Sequence, residues 1–280
     1  MKSIRLVSMA GQDVTHFTSV DHTADPSFFL RFLDEANKLI AGRAWKPAIL
    51  EGLRLEPGMK VLEVGCGAGE EAVEIAARVM PGGQVTGIDL SQLLISEAVR
   101  RASGANAAVN FEIGDVQALR FPDMSFDAVR CERVLMHVPD AARAVWEMAR
   151  VVRPGGRMVV QDFDWETQFC DSPYKETTRK IALSFCDGIK NGWIGRCLPR
   201  LFREAGISDI TISFHVLPVT YEFLQLLLGG HIAQAVHSGL FGAKEADLWW
   251  THLAKTNASG AFLYGFTAIV VCGVKCPLPA

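Results

Sequence analysis

The sequence predicts an α/β fold: a doubly wound, seven-stranded, mostly parallel sheet with N-terminal helices and a helical cap insertion. Two observations carry this prediction. In the middle of the chain, short apolar runs alternate with amphipathic helical segments, the pattern of parallel βαβ units. Two more strand-like runs follow, and between them lie residues 220–260, a segment of 41 residues of which 20 are apolar and only five are charged. A chain of 280 residues is long enough to bury one large core of this kind.

Five apolar runs in the middle of the chain predict the first five strands, at residues 60–64, 84–89, 109–113, 126–131 and 157–162. The segments between them carry apolar side chains at helical spacing. Ser91 and Asp140 are typical N-cap residues for two of these helices. Pro-Gly-Gly sequences at 81–83 and 154–156 are expected to end two helices before the next strand begins.

The flanking segments predict further layers. Residues 1–56 precede the first strand and are predicted to form an N-terminal helical cap segment, with helices at 26–40 and 45–53. Residues 57–280 are predicted to be the main domain, in which helices at about 175–190 and 198–205 precede strands at 207–217 and 262–274. The insertion at about 220–260 is too apolar for a solvated linker, so it is expected to be helical and packed.

Composition excludes several classes of protein. Lys and Arg total 28 against 31 Asp and Glu, a net charge of −3, which argues against a nucleic-acid or anionic-membrane binder. The longest uncharged apolar stretch has 15 residues, too few to span a membrane. Seven cysteines without a disulfide-type spacing, and no apparent secretion signal, predict a reduced, cytoplasmic protein. No metal site is predicted.

A glycine-rich turn follows the first strand. Gly65, Gly67 and Gly69 open the next helix, and Asp89 ends the second strand 24 residues after Gly65. This spacing suits a carboxylate that accepts both ribose hydroxyls of a nucleoside. Two glutamates at 70–71 would repel a phosphate at the start of that helix. The pattern therefore predicts a nucleoside that carries a cation and no phosphate.

Two later strand ends point to the same place. Gly114-Asp115-Val116 follows the third strand, and Cys131-Glu132-Arg133 follows the fourth. In a doubly wound sheet, ligands bind outside the carboxyl ends of the strands where the strand order reverses. We therefore expect these loops to meet the glycine turn at one crevice.

Six short motifs occur in the sequence: VLEVGCGAG at 61–69, GIDL at 87–90, GDV at 114–116, FPDxSFD at 121–127, VLMHVPD at 134–140 and RPGG at 153–156. Taken together, these motifs resemble the class I S-adenosylmethionine-dependent methyltransferases, in particular the small-molecule branch that includes quinone-biosynthesis enzymes. The resemblance covers about residues 57–165 and, more weakly, the chain to 275.

The resemblance implies S-adenosylmethionine as cofactor and a Rossmann-like methyltransferase fold. It assigns these residues to the cofactor: Glu63, Gly65, Cys66, Gly67, Gly69, Asp89, Leu90, Gly114, Asp115, Val116, Cys131, Glu132 and Arg133. The glycine loop would carry the methionine half, with Glu63 ordering the loop and Cys66 as a small filler within it. Asp89 would hold the ribose, Leu90 and residues 114–116 the adenine, and the backbone of 131–133 the amino group.

The acceptor site is less well defined by the sequence. His137 lies just after the fourth strand, where a neutral imidazole could accept a substrate proton or could simply pack in the loop. Phe28 and Phe32 of the N-terminal segment, and Asp162, Asp164 and Trp165 after the fifth strand, are predicted to contact the substrate. The N-terminal helix and the insertion are expected to cap the crevice and form an apolar, aromatic-lined acceptor site.

The predicted function is methyl transfer from S-adenosylmethionine to an O, N or C atom of a small, aromatic or apolar acceptor. Three alternatives stay open from the sequence: a methyltransferase of RNA or protein, a cofactor-binding scaffold that does not methylate, and a nicotinamide-dependent oxidoreductase. The glycine spacing and the glutamates at 70–71 count against the last of these. The apolar cap residues could instead form the interface of a homodimer.

Overall fold

A computed structural model describes residues 13–40, 45–104 and 109–277. The first twelve residues of the predicted N-terminal segment lie outside the described residues. A 3₁₀ helix spans Val14–His22. The α-helices are α1 Ser27–Ile40, α2 Trp45–Leu53, α3 Glu70–Val79, α4 Gln92–Gly104, α5 Ala141–Val151, α6 Lys175–Gly188, α7 Ile194–Glu204, α8 Tyr221–His237 and α9 Ala243–Ala258. The strands are β1 Lys60–Val64, β2 Gln84–Asp89, β3 Val109–Ile113, β4 Phe126–Glu132, β5 Val152–Cys170, β6 Ile207–Pro218 and β7 Tyr264–Lys275.

The seven strands form one sheet in the order β3-β2-β1-β4-β5-β7-β6. Neighbouring strands are parallel from β3 to β5, and β7 is antiparallel to both β5 and β6. The chain moves outward from β1 in one direction through β2 and β3 and then in the other through β4. The strand order thus reverses between β1 and β4, and the loops after these strands part there to leave a crevice. The predicted fold class is confirmed.

Both faces of the central strands are covered. Val61 and Leu62 are adjacent in β1 and point to opposite faces of the sheet, yet neither side chain is exposed. Such double burial requires flanking helices and explains why these strands are continuous apolar runs in the sequence. One of the covering helices is α2, which packs on β5 and β7.

β5 is longer than predicted at both ends. The sequence indicated a turn at 154–156 and a strand end at Asp162, but the strand continues because Phe163 and Asp164 pair with Ala268 and Thr267 of β7. Asp162 and Asp164 are buried in this strand, and Asp164 pairs with Arg196, which lies 32 residues away in the sequence. These long-range contacts are the physical reason for the difference.

The insertion at 220–260 is helical, as predicted, and forms α8 and α9. α8 packs against α1, α6, α9 and the 3₁₀ helix, and its Leu224, Leu228 and Ile232 side chains are completely buried. α9 lies behind α8, where Trp249 Nε1 donates a hydrogen bond to Thr178 Oγ1 at 3.0 Å. Within the described part of the chain, none of the helices combines the length and apolar character needed to cross a membrane.

Candidate active site at the carboxyl edge of the sheet

The turn between β1 and α3 forms the floor of the crevice. Gly65, Gly67 and Gly69 have positive φ angles of 66°, 53° and 89°, a region that favours glycine. At Gly65 a Cβ atom would lie 2.1 Å from Val134 Cγ2, so the loop after β4 can approach closely only because no side chain is present. The turn therefore presents bare backbone to the crevice.

Asp89 joins the glycine turn to the end of β2. Its Oδ2 accepts a hydrogen bond from the Gly67 amide at 3.0 Å, and its Oδ1 accepts one from the Ser91 amide at 3.0 Å. Burial raises the pKa of this carboxyl although these hydrogen bonds oppose the change. Each oxygen keeps a second lone pair, so the group can also accept the two hydroxyls that the sequence assigned to it.

Residues 114–116 form the neighbouring wall. The Gly114 amide donates to the Asp89 carbonyl at 3.0 Å, which holds the two strand ends together. The Asp115 side chain accepts the Gln117 amide at 2.8 Å and thereby fixes the turn. Val116 is buried, whereas Leu90 is 53% exposed at the rim.

A buried charge cluster lies behind the glycine turn. Arg130 of β4 pairs with Glu63 of β1 and with Glu132 of β4, and Glu71 Oε2 lies 3.7 Å from its Nη2 atom. Lys46 of α2 in turn pairs with Glu71. Sequence reasoning assigned roles to the first two glutamates but missed Arg130, although a charged residue inside an apolar central strand is itself a signal.

Glu63 is not fully satisfied within this cluster. Its Oε2 atom is buried and has no hydrogen-bond partner among the described residues. Burial raises the pKa of Glu63 to about 8 despite the opposing effect of Arg130. A ligand cation at this oxygen would supply the missing partner and favour the ionised form.

Most of these groups line one cavity that is open to solvent and has an empty volume of about 1030 Å³. Among the described residues, six carboxylates and two guanidinium groups form its walls, so the walls suit a cation better than a phosphate. Every residue that the sequence assigned to the cofactor lines this cavity except Gly69 and Cys131. Gly69 lies between two lining residues, Ala68 and Glu70, at the N-cap of α3.

The two cysteines assigned to the cofactor lie in different environments, and one of the two assignments is wrong. Cys131 was placed in the loop after the fourth strand, but β4 continues through it, and its fully buried side chain packs in the core beside Val64. Cys66 does line the cavity, and burial raises the pKa of its thiol well above the usual range. This thiol therefore stays protonated, in agreement with its interpretation as a small filler.

The loop after β4 holds His137 between the cavity and the cap. Asn191 Nδ2 donates to the Leu135 and Val138 carbonyls at 2.8 and 2.6 Å, one on each side of the histidine. The His137 ring lies 5.2 Å from that of Phe17 in the 3₁₀ helix. Burial lowers the pKa of His137 to about 4, so the imidazole is neutral at physiological pH.

A second cavity, with an empty volume of about 620 Å³, adjoins the first. Phe17, Leu33, Arg133 and His137 line both cavities. The remaining lining side chains are all apolar or aromatic: Val14, Phe32, Ala36, Leu39, Met136, Phe163, Trp165, Phe185, Ile189, Leu217, Phe223, Leu227 and Phe266.

Only some of the residues that were predicted to contact the substrate line this second cavity. Phe32 and Trp165 line it, whereas Phe28 points away and packs against Phe29. Asp162 accepts hydrogen bonds from the Phe163 and Met136 amides at 2.9 and 3.1 Å, and therefore supports the loop of His137 from below. Asp164 forms a bidentate pair with Arg196 at 2.5 and 2.6 Å. Successive strand residues face opposite sides, so the aromatic residues reach the cavity and the aspartates do not.

Sequence reasoning missed two elements of the cap. Phe17 belongs to the 3₁₀ helix, which lies outside the predicted helices, and Asp21 of the same helix accepts a hydrogen bond from Ser91 Oγ at 2.6 Å. Phe185 and Ile189 come from α6 and its end. The apolar spacing of α6 was visible, but nothing local indicated that it faces the crevice. Of the insertion, α8 lines the cavity and α9 only supports α8.

Comparison with known proteins identifies the class. The sequence model of the methyltransferase domain family matches residues 55–206, so the chain belongs to this family, and its class I members use S-adenosylmethionine as cofactor. The orphaned buried oxygen of Glu63, the bare glycine backbone and the acidic walls fit this cofactor, which carries cations and no phosphate.

The chain is also similar in sequence to individual curated proteins. The chain is 37% identical over 206 residues to a 2-phytyl-1,4-naphtoquinone methyltransferase of Synechococcus elongatus, covering 71% of this chain and 84% of the relative. It is also 37% identical over 254 residues to an uncharacterised 37.1 kDa protein in transposon TN4556 of Streptomyces fradiae, covering 88% and 71% of the two chains. It spans only 24–53% of the length of five further curated relatives.

A solved structure supports the fold independently. The YcgJ protein of Bacillus subtilis superposes with a TM-score of 0.59 at 20% identity, covering 82% of this chain and 97% of that one. At this identity the likeness concerns the fold alone.

Asp89→Ala should weaken S-adenosylhomocysteine binding by about ten- to a hundredfold, because hydrogen bonds to a charged acceptor are worth about 1.5–3 kcal/mol. Titration calorimetry measures the affinity, and circular dichroism establishes that the variant is folded. Asp247→Ala, at an exposed position of α9, is the matched control and should bind like the wild type. Wild-type affinity in a folded Asp89→Ala variant would remove Asp89 from the cofactor site.

Proposed function

We propose that this methyltransferase acts on a small, apolar and aromatic acceptor that binds in the second cavity. One observation carries the proposal: an almost wholly apolar cavity shares a wall with the cavity behind the glycine turn. Pockets of this kind bind ligands by burying apolar surface, and the few polar groups fix their orientation. The Synechococcus relative, named for a naphthoquinone substrate, is consistent with such an acceptor.

In this proposal the first cavity holds the cofactor. The backbone around Gly65 and Gly67 carries the methionine part, and Glu63 and Glu132 offer carboxylate oxygens to its cationic groups. Asp89 accepts the ribose hydroxyls. The adenine lies against Leu90 and residues 114–116.

The bound cofactor supplies a methyl group that its sulfonium already activates. The protein then has to align the acceptor with that methyl group and keep water out. The cap performs both tasks, because Phe17 and Leu33 lie at the junction of the cavities and Phe223 of α8 closes the far side. His137 is placed at the same junction, where its neutral ring can accept a proton from the acceptor.

We also propose that the enzyme acts in the cytoplasm on a small molecule rather than on nucleic acid. The net charge of −3 supports this, because a nucleic-acid backbone requires a basic surface. The apolar residues of α8 that suggested a dimer interface are covered by the chain itself. These side chains are therefore buried within a single chain and do not require a partner subunit.

Ala36→Phe should abolish methyl transfer while leaving S-adenosylhomocysteine affinity unchanged. Ala36 lines the second cavity and not the first, so a phenyl group there fills acceptor space only. We expect transfer of labelled methyl to an aromatic acceptor to fall about a hundredfold or more, the cost of misplacing an acceptor by roughly 1 Å. Ala243→Phe, exposed on α9, is the matched control and should retain activity. Undiminished transfer by Ala36→Phe would place the acceptor elsewhere.

A further inference from the structure

The second cavity has two polar side chains, Arg133 and His137, among the described residues that line it. Both also line the first cavity, so the polar part of the acceptor space lies at the junction. The indole of Trp165 does not add a third polar group, because its Nε1 atom donates to Met136 Sδ at 3.2 Å. An acceptor with one polar group and an apolar body therefore finds hydrogen-bond partners in one orientation only, with its polar group toward the cofactor.

Arg133 is held in place by its backbone and its side chain. It adopts a left-handed φ of 60°, which is strained for a non-glycine residue, and its amide donates to the Gln161 carbonyl at 3.0 Å. Its Nη2 atom donates to Asn37 Oδ1 at 2.9 Å, and its Nε atom lies 3.3 Å from Glu132 Oε1. These contacts use only part of the five-donor guanidinium, which leaves N–H groups for a ligand.

Resting on the function proposed above, we propose that the acceptor is an uncharged aromatic molecule with a phenolic or enolic hydroxyl, that this hydroxyl lies between Arg133 and His137, and that its oxygen is the methylated atom.

Acceptors of other chemical classes fit Arg133 and His137 less well than a phenol does. A cationic amine would meet Arg133 with like charge. A carboxylate would bring a full negative charge to a guanidinium that Glu132 already partly neutralises, inside an otherwise apolar cavity. A charged tail elsewhere on the acceptor would be buried against apolar side chains without a partner. A phenolic hydroxyl needs only one acceptor, the neutral imidazole, and one donor, the guanidinium.

Methyl transfer to the hydroxyl oxygen combines one proton transfer with one displacement at the methyl carbon. The hydroxyl proton passes to the unprotonated ring nitrogen of His137, and Arg133 stabilises the negative charge that develops on oxygen. An oxygen lone pair forms the new bond to the methyl carbon while the bond from that carbon to sulfur breaks, and the electron pair stays on sulfur. The products are a methyl ether and S-adenosylhomocysteine, and His137 returns its proton to solvent. Because burial keeps the pKa of His137 low, its ring is unprotonated at physiological pH and can accept this proton.

Binding of simple probes tests the recognition without turnover. With S-adenosylhomocysteine bound, 1-naphthol should quench tryptophan fluorescence through Trp165, with an affinity about tenfold or more above that of naphthalene. Arg133→Gln should remove this difference, Arg133→Lys should retain part of it, and the exposed-site control Arg200→Gln should keep it. 1-Naphthylmethylamine, a cation, and 1-naphthoate should bind at least about tenfold more weakly than 1-naphthol. Equal binding of naphthol and naphthalene, or a wild-type preference in a folded Arg133→Gln variant, would overturn the proposal.

Product analysis tests the methylated atom. With ¹³C-methyl S-adenosylmethionine and 1,4-dihydroxynaphthalene, which offers both hydroxyls and ring carbons, the label should appear as an O-methyl carbon in the NMR spectrum. A C-methyl product would overturn this inference and leave the proposed function intact. Transfer only to amines or to aliphatic acceptors would overturn it too. A different result would show that the proposed function itself is wrong. In that case Ala36→Phe would leave methyl transfer unchanged, whatever atom is methylated.

Discussion

Arg130→Met is expected to lower the free energy of unfolding by about 3–5 kcal/mol, the usual cost of removing one partner from a buried ion pair. Arg130 is the common partner of two glutamates that are almost completely buried. Its removal leaves Glu63 without an ionic partner and Glu132 with Arg133 alone. Urea unfolding followed by circular dichroism measures the loss.

Two further variants make this prediction specific. Arg200→Met removes an arginine whose pair with Glu204 is exposed on α7, and it should cost no more than about 0.5 kcal/mol. Adding Glu63→Gln and Glu132→Gln to Arg130→Met should recover part of the loss, because the unpaired charges are then gone. A change below about 1 kcal/mol for Arg130→Met would mean that the cluster is not a buried charge network.

His137→Ala should lower turnover by about 10²–10⁴-fold, the range for removal of a general base, while S-adenosylhomocysteine affinity stays nearly the same. His237→Ala, at the exposed end of α8, is the matched control and should have wild-type turnover. Steady-state kinetics and calorimetry separate the two effects. A variant with normal turnover and lower thermal stability would give His137 a packing role only.

The pH profile of the wild type supplies a second test of the same residue. Burial lowers the pKa of His137 to about 4, and protonation removes its ability to accept a proton. Turnover should therefore stay constant as the pH falls through the ordinary histidine range and decrease only near pH 4. Because the unfolded chain binds this proton near pH 6.5, the contribution of His137 also makes the folded state less stable as the pH falls from about 6.5 to 4.

The sequence was sufficient to predict those elements whose structure is determined by residues close together in the chain. Apolar periodicity placed β1 to β3 at their observed bounds, because each strand is bounded by glycine, proline or a capping residue. The glycine turn and Asp89 were found because their geometry is encoded within 25 residues. The four strand-end loops assigned to the cofactor all reach the same cavity, since parallel strands bring their carboxyl ends to one edge.

The rest depended on contacts between distant parts of the chain. Arg130 and Glu63 are 67 residues apart and meet only because β1 and β4 are neighbours. Asp164 was predicted to contact the substrate, but it pairs instead with Arg196, which lies on another element. Phe17 reaches the cavity from a 3₁₀ helix without an apolar period, so pattern reasoning could not place it. The apolar content of the insertion predicted a packed layer, but only the fold shows that α8 rather than α9 faces the crevice.

A crystal structure of the enzyme with S-adenosylhomocysteine and 1-naphthol would show both proposed binding sites at once. We expect the nucleoside at Asp89 in the first cavity and the naphthol ring beside Trp165 in the second, with its oxygen toward the cofactor sulfur. Naphthol bound outside the cavity under the cap, or with its oxygen directed away from the sulfur, would contradict it.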